Sequence, residues 1–305
     1  MHAASAAPIP PPIARQPLHT FNGTQFPYEV TGPAPPMIYK AGTVLDRCAR
    51  PKSYAISFDD GPGQLTDELL EYLEEHGLKV TFFVNGDNWS YPESQRLLKR
   101  AYESQHQIAA HPWSHRDLGS LSDDGIREEM HRVEQAFRQI LGVVPRYMRP
   151  PYGEHGERVR RVLEEMGYVI ILWDVDRLDE KVEDFDYTST SSTSDEKPMS
   201  GSRTSPYHRH RQQQHSHLSE QQDPLATSKW AEAVRGLPST PLDRDTIILQ
   251  GIYQEATPEW AIEHVQSLGF DVMTVGQCLG EDDPRLWYKE IGPPANTELV
   301  PKACH

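Results

Sequence analysis

Short apolar strand patterns alternating with amphipathic helix patterns predict an α/β fold built from parallel βαβ units. Three observations carry this prediction. From Ser53 the β-rich run YAISF stops at DDGPG, and TDELLEYLEEHG follows with helical spacing and a closing Gly77. KVTFFVNG gives a second buried-type strand, YPESQRLLKRAYESQH reads as the helix after it, and QIAAH is a third strand. Acidic and histidine residues stand directly after these strands, at the carboxyl ends where α/β folds place their chemistry. Periodicity alone leaves a closed barrel and an open doubly wound sheet both open.

The alternation continues along the chain. SDDGIREEMHRVEQAFRQILG begins with a capping Ser122 and carries Ile126, Met130, Val133, Phe137 and Ile140 three or four apart, which predicts a long helix with one buried face. After PRYMRPPYG come a helix over about 156–167 and the strand YVIILWDV. Residues from about 183 to 228 are rich in Ser, Gln and His and nearly lack apolar side chains, so a disordered insertion is expected there, its histidines at 208, 210, 215 and 217 solvated. TIILQG and FDVMTVGQCLG then read as two last strands flanking a helix from about Pro258 to Leu268. Residues 1–36 read as a disordered Pro-rich arm, 37–290 as a single domain and 291–305 as a tail.

Size and charge limit the function classes. A chain of 305 residues buries one substantial core or two modest ones, and its mean hydropathy of −0.66 agrees with part of it being unfolded. A net charge of −15 provides no basic footprint for nucleic acid, and no apolar run is long enough to span a bilayer. A monomer is expected. The first residues lack the apolar stretch of a secretory signal. Cys48, Cys278 and Cys304 are too few for a disulfide scaffold and lack zinc-ribbon spacing, so by themselves they read as unrelated thiols.

The chemistry concentrates in two motifs. DDGP at 59–62 sets two adjacent carboxylates at the end of an apolar strand; alternation cannot bury both on one face, so at least one points into the loop mouth, and capping aspartates in a turn are the plainer alternative. HPWSH sets His111 and His115 four apart after another strand. Were that segment to turn helically, both imidazoles would share a face and, with one carboxylate, make a His2-Asp set suited to zinc with an open water position.

SFDDGP, HPWSH and RPPYG, in that order, resemble the first three motifs of the polysaccharide deacetylases of carbohydrate esterase family 4, the NodB-homology enzymes. The similarity extends over about residues 44–290, and TFFVNGDNW, LGSLSDD, YMRPPYG and TVGQCLGEDDPRLWYK resemble the fungal chitin deacetylases in particular. The resemblance implies a distorted (β/α) barrel and a hydrolase of amide bonds acting on chitin or other N-acetylglucosamine polysaccharides. It implies that Asp60, His111 and His115 hold a divalent metal, zinc or alternatively cobalt, which polarises an acetamide carbonyl and acidifies its bound water. Asp59 would then be the general base, Arg149 its orienting partner, and the backbone N–H of Tyr152 a donor to the oxyanion. Pro151, Tyr152 and the exposed aromatics Trp113 and Trp89 would face substrate. Fungal relatives bridge cysteines placed like Cys48 and Cys278, which implies a disulfide, an oxidising compartment and a secreted or cell-wall protein whose export signal lies outside this chain.

Departures from the family pattern fall on its acid half. Gly251 in IILQGIYQEAT stands where a histidine protonates the leaving amine, and Glu180 in WDVDRLDE stands where an aromatic lines the acetyl pocket. Asp176 and Asp179 remain, so Asp179 would orient a histidine that is missing. Pro112 replaces the hydroxyl residue that braces the loop between the two histidines. Reduced activity follows, or a catalytically silent carbohydrate-binding protein; Tyr253 and His155 are the remaining proton-donor candidates.

Overall fold

The computed structural model describes residues 19–21, 24–63, 65–86, 93–173, 175–176, 246–252, 259–267 and 269–294. In chain order the elements are β1 (His19–Phe21), β2 (Thr24–Phe26), β3 (Val44–Leu45), β4 (Ser53–Gly61), α1 (Thr66–Glu75), β5 (Thr81–Val84), α2 (Ser94–Glu103), β6 (Gln107–Ala110), α3 (Asp123–Ile140), β7 (Val143–Pro145), β8 (Tyr147–Met148), α4 (Glu157–Glu165) and β9 (Val169–Ile171). They continue with β10 (Val175–Asp176), β11 (Thr246–Ile252), α5 (Glu259–Ser267), β12 (Asp271–Met273), α6 (Val275–Cys278) and β13 (Tyr288–Ile291). The predicted alternation is present from β4 to β9.

The main sheet runs β10-β11-β4-β5-β6-β8-β9-β3, with β12 also paired to β4, and every ladder in it is parallel. Its middle strands β5 and β6 are buried along their whole length, which is why FFV and IAA read as apolar runs rather than as alternating ones, while Thr81 at the start of β5 donates to Gln107 at the start of β6 at 3.0 Å. The helices cover this sheet with single apolar faces: Leu69, Leu70 and Leu73 from α1, Leu97, Leu98 and Ala101 from α2, Val159, Val162 and Leu163 from α4. Each leucine or valine among them contributes about 1.5–3 kcal/mol on burial. Ser122 caps α3 as predicted, accepting from the Gly125 N–H at 3.1 Å.

Two sequence expectations are corrected. The arm predicted to be disordered up to residue 36 instead contains the antiparallel β1–β2 pair, and Phe26 and Tyr28 enter the core. Tyr28 donates to the His106 carbonyl at 2.7 Å and packs edge-on against Trp287. Two aromatics without a period leave no pattern to read, and only the distant partners Tyr102, Trp287 and Tyr288 give them a place. FDVMTVGQCLG is not one strand: β12 ends at Met273 and α6 begins at Val275. The cause is a Thr-x-x-Gln capping box in which Thr274 accepts from the Gln277 N–H and Gln277 accepts from the Thr274 N–H. The expectations for residues 1–18, for the insertion at 183–228 and for residues 295–305 fall outside the described residues.

The chain after α6 is tied down from within. Glu281, fully buried, accepts from Arg146 Nη1 at 3.0 Å, from Ile38 N at 3.2 Å and from the Tyr147 hydroxyl, while Cys278 is joined to Cys48. Cys278→Ser, by opening a bridge between residues 230 apart, is expected to lower unfolding free energy by up to about 5 kcal/mol in denaturant titrations. On α3, Glu134 receives Lys289 Nζ at 2.5 Å and the Tyr168 hydroxyl at 2.8 Å. Burial pushes its carboxyl up, but Lys289, Tyr168 and His131 together hold it below the usual range. A depressed carboxyl contributes stability that is present above its unfolded value and lost as pH falls through the folded one. Glu134→Gln should therefore cost about 1–3 kcal/mol at neutral pH. The difference from wild type should shrink as unfolding is measured below pH of about 4.

Candidate metal centre

Because the ladders are parallel, β4, β5, β6 and β8 all end at one edge of the sheet. Asp59 pairs with Phe83 and Phe83 with Ala109; one step further, the His111 N–H donates to the Val84 carbonyl and the Arg149 N–H to the Ala110 carbonyl, each at 3.0 Å. Asp59 within β4 and the first residues beyond β6 and β8 are thereby delivered to one place.

Two adjacent aspartates serve different sites here because the β4–β5 register slips between Asp59 and Gly61. Asp60 is the extra residue of this bulge and takes a left-handed conformation, φ 62°. Asp59 stays in the sheet, 1% exposed, and Asp60 is turned out towards the histidines. Alternation predicted that one carboxylate would leave the buried face; the bulge decides which.

Asp60 Oδ1 lies 3.6 Å from His111 Nε2 and 3.6 Å from His115 Nε2, and the three ligand atoms lie within 4.8 Å of one another. Bonds of about 2.1 Å to a tetrahedral zinc would set ligand atoms about 3.4 Å apart, so the spacing fits one cation. His111 Nδ1 is 2.7 Å from the Arg149 carbonyl. A carbonyl only accepts, so the proton sits on Nδ1 and the Nε2 lone pair faces Asp60. That Nε2 is buried and has no hydrogen-bond partner among the described residues. Burial also pushes the imidazole below its usual pKa, against the pull of Asp60 and Asp59, and so favours the neutral, ligating form. A buried lone pair without a donor is costly, and a divalent cation would satisfy it. The second histidine arrives differently from the helical premise: 112–115 form a turn, His115 N–H to Pro112 carbonyl at 3.2 Å, with His115 itself left-handed at φ 51°.

Arg149 is fully buried. Its Nη1 donates to Asp59 Oδ1 at 2.6 Å and to Ser57 Oγ at 2.9 Å, its Nε and Nη2 reach the carbonyls of Ile171 and Leu172 at 3.3 Å, and its guanidinium lies 4.0 Å over the Phe83 ring. Burial raises the Asp59 carboxyl above its usual pKa, and Arg149 and His111 pull it partly back. Beyond β8, Pro151 is buried, while Tyr152 is left-handed at φ 59°, exposed, and set edge-on to His115 with ring centroids 5.0 Å apart. Trp113 is half-buried, its ring so close to Gly86 that a Cβ there would lie 2.1 Å from it, and the Arg132 guanidinium lies 4.6 Å from the ring centroid. His155 Nδ1 is engaged by the Gly153 carbonyl at 2.6 Å. Gly251 pairs with Phe58 and Ile252 with Asp59, which brings the end of β11 beside the centre. Asp179, Glu180, Tyr253 and Trp89 lie outside the described residues.

Two residues at the centre escaped sequence reasoning. Asn85 donates to Asp60 Oδ1 at 2.6 Å, and Glu129 on α3 grips Ser114. A polar residue closing the apolar run TFFV was the available signal for Asn85. Glu129 gave none, since a Glu in a helix is ordinarily solvated.

The family model described as polysaccharide deacetylase matches residues 46–171. The chitin deacetylase of Colletotrichum lindemuthianum is 30% identical over 253 residues, covering 81% of this chain and 87% of that protein. The chain belongs to the polysaccharide deacetylase family. The solved structure of the Colletotrichum chitin deacetylase superposes with a TM-score of 0.64 at 26% identity, over 82% of this chain and 97% of that one. The fold of this family member is accordingly the distorted (β/α) barrel. The chitin deacetylase of Pestalotiopsis sp is 42% identical over 144 residues, and there the chain spans only about half the relative's length, 48%. A Bacillus anthracis protein described as a family 4 carbohydrate esterase pseudoenzyme shares the fold, with a TM-score of 0.56 at 18% identity over 79% of this chain and 70% of that one.

Arg149→Met is expected to destabilise the protein by about 3–5 kcal/mol in denaturant unfolding, because it strands Asp59 in a buried site. Asp59→Asn should cost less, since Arg149 keeps Ser57 and two carbonyls.

Proposed function

We propose that this polysaccharide deacetylase is a metal-dependent hydrolase that removes N-acetyl groups from N-acetylglucosamine polymers such as chitin, and that it turns over slowly. One observation carries the reading: Asp60, His111 and His115 face a common point at which a buried His111 Nε2 lacks a hydrogen-bond partner among the described residues. These three residues would hold the ion, zinc by preference and cobalt as a substitute. When bound, it supplies Lewis acidity to an acetamide carbonyl and lowers the pKa of a water. Asp59 takes the proton from the attacking water, and Arg149 fixes the direction in which that carboxylate points. The Tyr152 N–H, on its left-handed turn, donates to the oxygen that gains charge. Pro151, the Tyr152 ring and Trp113 border the substrate.

Slow turnover follows from the acid half. With Gly251 in the strand beside Asp59 and Asp179 without a histidine to orient, nothing in this reading protonates the leaving amine, and general acid catalysis is worth about 10²–10⁴-fold. A second reading, a carbohydrate-binding protein without turnover, draws on the same Gly251. The Cys48–Cys278 bridge supports an oxidising setting, and we place the protein outside the cell or in the cell wall.

Acetate release from chitin oligomers with added zinc should exceed that of an Asp59→Asn chain. Equality of the two leaves only the binding reading. Because Gly251 stands level with Phe58 and Ile252 level with Asp59, both Gly251→His and Ile252→His belong in the assay. At least one should raise turnover by about 10-fold or more if a missing acid limits the rate.

A further inference from the structure

Of the three left-handed residues at the centre, His115 alone is a ligand whose backbone leaves an irregular turn rather than a strand. A non-glycine residue in that conformation costs on the order of 1–3 kcal/mol and persists only where its surroundings fix it. The turn's earlier part is fixed locally. Pro112 has its φ set by its ring, and the Trp113 carbonyl receives the Gly86 N–H at 2.8 Å. Beyond it the His115 N–H closes on the Pro112 carbonyl at 3.2 Å, and what remains is Ser114, the residue between these two bonds.

Ser114 is held from α3. The Ser114 N–H donates to Glu129 Oε2 and the Ser114 hydroxyl to Glu129 Oε1, each at 2.7 Å. Glu129 is only 6% exposed, on a helix anchored by the Ser122 cap and by Ile126, Met130 and Val133 in the core. A carboxylate that takes two donors from one residue fixes both the position and the rotation of that residue, which a single bond does not. Ser114 thus ties the turn to α3 through both its backbone and its side chain.

Resting on the metal-centre reading above, we propose that Glu129 is a positioning residue for the metal site: through Ser114 it holds His115 in the conformation that aims Nε2 at Asp60. The side chain touches neither ligand nor substrate. Its effect belongs in the affinity for the ion.

The test uses the full chain and zinc, with affinity read by competition against a chromophoric chelator and thermal unfolding of the metal-free protein read in parallel. Glu129→Gln keeps the volume and one accepting oxygen, but its amide nitrogen cannot accept the second donor. It should weaken zinc binding about 10-fold, the usual size of an outer-shell effect. Metal-free melting should barely move. Ser114→Ala removes only the hydroxyl donor and should lose about threefold, the worth of one ordinary hydrogen bond. Wild-type affinity in both variants overturns the proposal while leaving the metal centre intact. So does a Glu129→Gln chain that melts early without metal yet, where folded, binds zinc as wild type does, since that makes Glu129 merely structural. A wild-type chain with no zinc affinity removes the metal-centre reading and this inference with it.

Discussion

The one-residue slip between β4 and β5 is the constraint from which the centre is built. A regular strand would send Asp59 and Asp60 to opposite faces, one of them into the helical layer. The bulge instead keeps Asp59 in the ladder, level with Phe83, and swings Asp60 out of it at positive φ. Asp59 can then meet a fully buried arginine while its neighbour meets two histidines. Carboxylates one residue apart in sequence come to occupy a buried site beside an arginine and a site facing two histidines.

Around that slip the supports are graded by how far they sit from the strands. Asp59, His111 and Arg149 are placed by ladder geometry itself, because Asp59 is paired within β4 and the other two are the first residues beyond β6 and β8. His111 is further fixed by the Arg149 carbonyl, so one residue orients a histidine with its backbone and an aspartate with its side chain. His115 and Tyr152 lie on turns, both left-handed, and depend on contacts from elsewhere: Ser114 and Glu129 for the first, the Pro151–Gly153 turn for the second. Strain is concentrated in the parts that would meet solvent and substrate, as is usual for working sites.

Much of this was legible in the chain. Apolar runs such as FFV and IAA with polar residues directly after them located the strands and their carboxyl ends, because a strand buried on both faces is largely apolar. The α3 stripe from Ile126 to Ile140 and its Ser122 cap were equally plain. Less visible were elements whose partners are distant: Phe26 and Tyr28 give no period of their own, and Thr274–Gln277 read as strand because the flanking apolar residues outweighed the four-residue capping signal.

The sequence by itself determined the parallel α/β architecture, the residue types of the centre and their order along the chain, since burial periodicity and ligand chemistry are local properties of side chains. Only the tertiary structure decided which aspartate turns towards the histidines, that the HPWSH turn is not helical, and that Asn85 and Glu129 attend the centre. Those outcomes depend on strand register and on backbone conformations fixed by contacts between residues far apart in sequence. No window along the chain contains both members of such a contact.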